Sequence, residues 1–478
     1  MIELTLAEIA AAVGGTVRDA DPHTVVTGAV EYDSRKIGPG GLFVAVPGEH
    51  VDGHDFAEAA VAQGAVAVMC TRRVAAPRIE VADPIAALTA LATEVARRLD
   101  ATVIGITGSS GKTSTKDLLA SVLANAGPTV AALGSANNEL GHPYTVLRAD
   151  SSTMFLVLEL GARGVGHIRH LTEIARPQIG VVLNVGSAHI GEFGTREAIA
   201  QAKGELVEAL PPEGVAALNA DDELVAAMAE RTHAHVVEYG MAAHADVRAT
   251  DVHLDDLGRP AFTLHAAGAS AQVELKLVGS HHVSNALAAA SVALSVGMTI
   301  DTVADALGAA VAASRWRMEV SERADGVVVI NDAYNANPES MNAALDALVA
   351  VAAPRGGRTI AVLGQMAELG PDEAAAHEAI GRRAAQLSIA RVIAVGETAR
   401  AIADAAALEG SWHGEASRVP DADAAIELLR NELEPGDVVL VKASRAASLE
   451  RVGMAIAEDR ADGAETEKGG GAWASKPS

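Results

Sequence analysis

The chain has 478 residues, which is room for about three domains of roughly 150 residues each. Its 49% hydrophobic and 21% charged residues are the balance of a chain that folds around a core, which excludes global disorder. A formal net charge of -25 argues against tracking nucleic acid or binding an anionic membrane surface, so anionic ligands must be held locally.

A single cysteine, Cys70, excludes an internal disulfide and any multi-cysteine metal site, which fits a reducing compartment. Met1-Ile2-Glu3-Leu4-Thr5 shows no basic region before an apolar run, and no stretch of about 18 apolar residues follows. A cytoplasmic protein without membrane insertion and without a nucleic-acid partner is expected, acting as a monomer. Lysine is scarce, 8 residues against 29 arginines, so each lysine raises the question of why arginine would not serve.

In chain order, residues 1–100 alternate short apolar runs (41–46, 65–69) with helical stretches (55–61, 84–99), predicting a small α/β domain. A central domain is predicted over 101–316. Its apolar strands at 102–106, 154–158, 179–185 and 216–218 alternate with helices, the pattern of a mainly parallel sheet. Residues 246–278 are turn-rich and alternating, and predict an antiparallel patch. A third domain over 317–458, with strands at 327–330, 359–363, 392–395 and 438–441, predicts a Rossmann-like doubly wound sheet. The segment 459–478 contains Gly469-Gly470-Gly471 and predicts a disordered tail. The fold class is therefore α/β in three domains.

The strongest motif is Thr107-Gly108-Ser109-Ser110-Gly111-Lys112-Thr113, set between the strand ending at Ile106 and a helical run over 115–125. Strand, glycine turn, Lys-Thr and helix make a P-loop, in which backbone amides and the helix N-terminus cradle phosphates. Lys112 is expected to reach the outer phosphates and the Thr113 hydroxyl to ligate magnesium. The general spacing places a glycine where Ile106 stands, so the loop is a variant. Glu159 ends the apolar strand that begins at Met154 and is the expected second metal ligand. His189 follows the strand at 179–185, and Lys203 comes fourteen residues later. Taken alone, such a histidine is usually structural and such a lysine usually solvated. Both, however, follow strands whose C-terminal ends should converge on the phosphates.

With these residues the chain resembles the Mur ligase family nearly end to end. The likeness is carried by Asp33-Ser34-Arg35, Gly48-Glu49 and Asp52-Gly53-His54-Asp55-Phe56 in the first domain. In the second it lies in Asn137-Asn138-Glu139-Leu140-Gly141, Glu159-Leu160-Gly161-Ala162 and Ala202-Lys203-Gly204-Glu205. In the third it lies in Tyr334-Asn335-Ala336-Asn337-Pro338, Met366-Ala367-Glu368-Leu369-Gly370 and Val441-Lys442-Ala443-Ser444-Arg445. The resemblance implies ATP and two magnesium ions, with Thr113 and Glu159 on the first. It places His189 and Lys203 on the second, with Lys203 carbamylated by CO2. It also implies that Asn285 contacts adenine, that Arg317 and Asp332 cross to the nucleotide, and that Ser34 and Arg35 hold a uridine-diphosphate end. The Asn-Pro-Arg of diaminopimelate-adding relatives is absent, since Asn337-Pro338-Glu339 stands there. The implied partners are thus UDP-N-acetylmuramoyl-tripeptide and D-alanyl-D-alanine, joined through an acyl phosphate. Ser280, His282, Gln365, His167 and Asn331 depart from the residues usual at their positions, and none belongs to the implied metal or P-loop set. A P-loop kinase or nucleotide-gated regulator would account for residues 107–113 but not for Lys203 or the third-domain motifs.

Overall fold

The computed structural model of the protein describes residues 1–48, 51–186 and 190–458. Glu49, His189 and the predicted tail over 459–478 therefore lie outside the described residues.

Three main sheets carry the described chain. The first has five strands; across the sheet they begin at residues 16, 78, 67, 42 and 30, parallel except for the outer pair at 16 and 78. The central sheet has nine strands, beginning at 269, 260, 247, 235, 215, 179, 102, 155 and 129. Its strands from 247 to 129 run parallel, whereas those at 269, 260 and 247 form the expected antiparallel patch. The third has six strands, beginning at 319, 328, 438, 359, 391 and 415, and only its first pair is antiparallel.

The strand Thr102–Thr107 shows why the central sheet needs cover on both faces. Val103 belongs to one buried apolar cluster, while Ile104 and Ile106 belong to another, as strand alternation requires. The first cluster runs without a break from Leu6, Leu88 and Leu91 near the N-terminus to Leu156 and Leu206, so the first sheet's helices and the central sheet share one core. The helix Pro84–Arg98 starts on an Asp83 cap, with Pro84 at its first position, and buries Ala87, Leu88, Leu91, Ala92 and Val95 in that cluster.

Gly105 sets how closely a helix approaches the sheet. A Cβ there would lie 2.9 Å from both Leu160 Cδ1 and Leu206 Cδ1, so a larger residue would displace Leu206 of the helix Arg196–Glu208 and the Leu160 side chain. That helix carries Lys203. The expected strand at 179–185 ends at Val182. Leu183 donates to the Thr107 carbonyl, and Asn184 then turns away to hold the glycine loop rather than a neighbouring strand.

Candidate active site

The glycine turn after Thr107 opens the helix Lys112–Leu123 with no side-chain cap, so its first amides are not occupied by a capping side chain. Gly111 stands at φ +79°, and a Cβ on it would lie 2.7 Å from Asn285 Oδ1. Both conformation and space therefore require glycine. Asn184 Oδ1 accepts from the backbone N–H of Ser109 at 3.0 Å and of Ser110 at 2.9 Å. The Ser109 hydroxyl accepts from the Gly186 amide at 2.9 Å, and the Thr107 hydroxyl donates to the Leu160 carbonyl at 3.0 Å. The loop is thus held in shape from its outer side. Lys112 Nζ donates to the Gly108 carbonyl at 2.7 Å. Burial pushes its amine below the ordinary lysine value, with Glu159 opposing the shift and Arg317 reinforcing it.

Glu159 ends the strand Phe155–Glu159 beside Ile106 and is 1% exposed. Its two oxygens are fixed separately: Thr113 Oγ1 donates to Oε2 at 2.8 Å and Asn137 Nδ2 donates to Oε1 at 2.7 Å. Among the described residues a hydroxyl and an amide are the hydrogen-bond partners of this buried carboxylate, and no ion pair is made to it, so its remaining lone pairs face the cleft. Lys203 is 5% exposed on the helix Arg196–Glu208. Burial pushes its amine well below the ordinary lysine value, and the Lys112 charge adds to that shift. Among the described residues no acidic side chain pairs with Lys203, and no three His, Cys, Asp or Glu side chains are grouped to hold a metal ion.

These groups face a cleft of about 720 Å³ whose opposite wall comes from the third sheet and its loops. Arg317, Asp332 and Lys442 lie on that wall. Lys442 Nζ donates to Asp332 Oδ2 at 2.5 Å and to the Asn335 carbonyl at 2.8 Å, so Lys442 is committed to Asp332. The Asp332 Oδ1 accepts from the Met318 amide at 3.0 Å. His281 and Asn285, from the turn and start of the helix His282–Ser295, close the remaining side.

The cleft therefore brings together Ser109, Ser110, Gly111, Lys112, Thr113, Glu159, Lys203, Asn285, Arg317 and Asp332, with Thr107 and Gly108 behind the loop. It does not bring in Ser34 or Arg35. Arg35 is exposed on the first sheet's side, donating to Asp33 at 2.8 Å. Sequence reasoning missed Asn184 and the role of Asn137, because asparagine is common in turns and neither spacing marks it. Gln365, for which sequence suggested no role, donates to Glu373 at 3.1 Å at the start of a helix.

Three family profiles match the chain in order: Mur ligase family, catalytic domain (27–103), Mur ligase middle domain (106–293), and Mur ligase, glutamate ligase domain (316–445). The chain is 54% identical to the UDP-N-acetylmuramoyl-tripeptide--D-alanyl-D-alanine ligase of Mycobacterium bovis, over 96% of this chain and 98% of that protein. The chain belongs to the Mur ligase family. Among solved Mur ligases, it is similar to MurF from Acinetobacter baumannii, with a TM-score of 0.84, 31% identity, and coverage of 96% and 99% of the two chains. It is also similar to MurF ligase from Thermotoga maritima in complex with ADP, with a TM-score of 0.77, 30% identity, and coverage of 91% and 98%. In this Mur ligase the P-loop, Glu159 and Lys203 fall within the middle-domain match, while Arg317, Asp332 and Lys442 fall within the third.

Proposed function

We propose that the chain joins D-alanyl-D-alanine to UDP-N-acetylmuramoyl-tripeptide in peptidoglycan precursor synthesis, with ATP as the energy source. The observation that carries this reading is one cleft that holds a P-loop lysine, a buried carboxylate and a buried lysine with no ion-pair partner among the described residues, faced by an arginine from the third sheet. In the first step an oxygen of the acceptor's terminal carboxylate attacks the γ-phosphorus, ADP leaves, and an acyl phosphate forms. In the second, the dipeptide amine attacks the acyl carbon, the carbon–oxygen bond to phosphate breaks, and the nitrogen loses a proton. Phosphoryl transfer asks little covalent chemistry of protein groups beyond alignment and charge neutralisation. Lys112, the loop amides and Arg317 would supply these locally, so a net charge of -25 is no obstacle.

The donor set suits magnesium: the Thr113 hydroxyl and the Glu159 carboxylate are hard oxygen donors of the kind that share a magnesium ion with phosphate oxygens. Thr113 and Glu159 would hold one ion, and His189 with Lys203 a second. The chemistry magnesium supplies there is neutralisation of phosphate charge. Only a neutral amine attacks CO2, and burial beside Lys112 favours the neutral form of Lys203. The nitrogen loses a proton to solvent as its bond to the CO2 carbon forms, and the resulting anionic carbamate would be attracted to Lys112, where the ammonium form is repelled. Ser34 and Arg35 would serve the nucleotide-sugar within 1–100, residues 101–316 would bind ATP with Asn285 at the adenine, and residues 317–458 would bind the dipeptide. We place the reaction in the cytoplasm, carried out by a monomer.

Phosphate release from ATP tests the reaction class. A ligase releases phosphate in proportion to amide formed, and only when acceptor and dipeptide are both present. Sustained release with neither would instead mark a regulatory NTPase.

A further inference from the structure

The segment that brings Arg317 to the cleft has an unusual backbone. Trp316 stands at φ 57° and Met318 at φ 49°, so two non-glycine residues in the left-handed region bracket the arginine. A bulky residue there is a real outlier and persists only where its surroundings hold it. The holding contacts are visible. The Trp316 amide donates to Glu319 Oε2 at 3.0 Å, its carbonyl accepts from the Tyr334 amide at 3.2 Å, and the Met318 amide donates to Asp332. The indole in turn carries the Arg445 guanidinium 4.4 Å from its ring centroid. Arg445 is also tied to Glu450 at 2.8 Å.

Among the described residues no hydrogen bond holds the Arg317 guanidinium, whose Nε is buried without a partner. Its direction is set by the Tyr334 ring, 4.2 Å from Cζ, and by the backbone on either side. Tyr334 itself reaches the Ser135 hydroxyl beside the P-loop. We propose that Trp316 and Arg445 form a clamp that keeps the left-handed backbone in place and so aims Arg317 into the cleft. Both are positioning residues, acting through Arg317 and not on the substrates. The proposal rests on the ligase reading of that cleft, and it gives Arg445 a task away from the substrates.

The test uses the full chain with Arg445→Leu, Arg445→Lys and Trp316→Gly, and with Arg445→Leu combined with Trp316→Gly. Glycine adopts the left-handed conformation without strain and needs no clamp. The account expects R445L to lower kcat about tenfold while the KM for D-alanyl-D-alanine moves less than about twofold. R445K should recover part of the loss, because an ammonium still stacks on indole. In the W316G background the R445L loss should shrink to under about threefold. Hydrogen exchange of the ligand-free protein gives a second reading: R445L should speed exchange at residues 316–318 and leave the helix Lys112–Leu123 unchanged. An equal loss in both backgrounds, or a raised dipeptide KM, would overturn the clamp in favour of direct substrate contact. Unchanged exchange at 316–318 would overturn it without reference to turnover, so it can fail separately from the ligase reading, and this arm alone decides if W316G is inactive.

Discussion

Burial changes what Lys203 can do. An exposed lysine is a solvated cation, whereas one that is 5% exposed next to Lys112 is held toward its neutral, nucleophilic form. Lys203→Ala should therefore reduce turnover by at least about a hundredfold, and short carboxylic acids should restore part of it by supplying the missing oxygen ligand. Activity unaffected by the substitution would remove the carbamate from the account. Scarcity made this residue legible: in a chain with so few lysines, Lys112, Lys116, Lys203 and Lys442 are all placed in or beside the interior. Lys116 holds the Ala132 and Gly134 carbonyls at 2.6 and 3.0 Å, a purely structural use. His142 is the contrasting case. It is fully buried, among the described residues neither ring nitrogen makes a well-formed hydrogen bond, and burial pushes its pKa from 6.5 to about 4. Protonation therefore favours the unfolded chain: stability is complete above pH 6.5 and falls as pH drops toward 4, by about 3 kcal/mol in all. Urea midpoints at pH 7.5 and 4.5 should fall less for His142→Gln than for the unaltered protein.

At the scale of elements, the P-loop is shaped as much by its neighbour strand as by its own glycines. Asn184 accepts from two loop amides just where the strand Ile179–Val182 has released its ladder, so an early strand end is part of the site. Sequence pattern extended that strand to Val185 because Leu183 and Val185 are apolar and buried. Apolarity reports burial and does not report which partner takes the backbone hydrogen bonds. By contrast, the strand Thr102–Thr107 and the P-loop helix were legible, since glycine turn chemistry and an apolar run agree there. Asn184→Ala should leave both loop amides without their acceptor. The expected result is an ATP KM raised about tenfold or more, with a small drop in melting temperature. Isothermal titration of a non-hydrolysable ATP analogue reads the same loss directly.

Across the whole molecule, three sheets were foreseeable from alternating helix and strand signals, but the strand order was not. Order depends on which strands bury their faces together, and nearly continuous apolar runs such as 102–106 and 179–182 look alike in sequence. The junction between the first sheet and the central sheet was likewise hidden. There the Tyr144 hydroxyl donates to both Glu31 oxygens, at 2.9 and 3.0 Å, with both residues 9% exposed. Tyr144→Phe leaves a buried carboxylate without that donor and should cost about 1–3 kcal/mol in urea unfolding. Adding Glu31→Gln should return much of it. The central claim is an acyl phosphate formed in the shared cleft. It is tested most directly by labelling the terminal carboxylate of the UDP-muramoyl-tripeptide with oxygen-18 and analysing the phosphate by mass spectrometry. The account predicts one labelled oxygen transferred to phosphate for each amide bond made; phosphate released without label would contradict it.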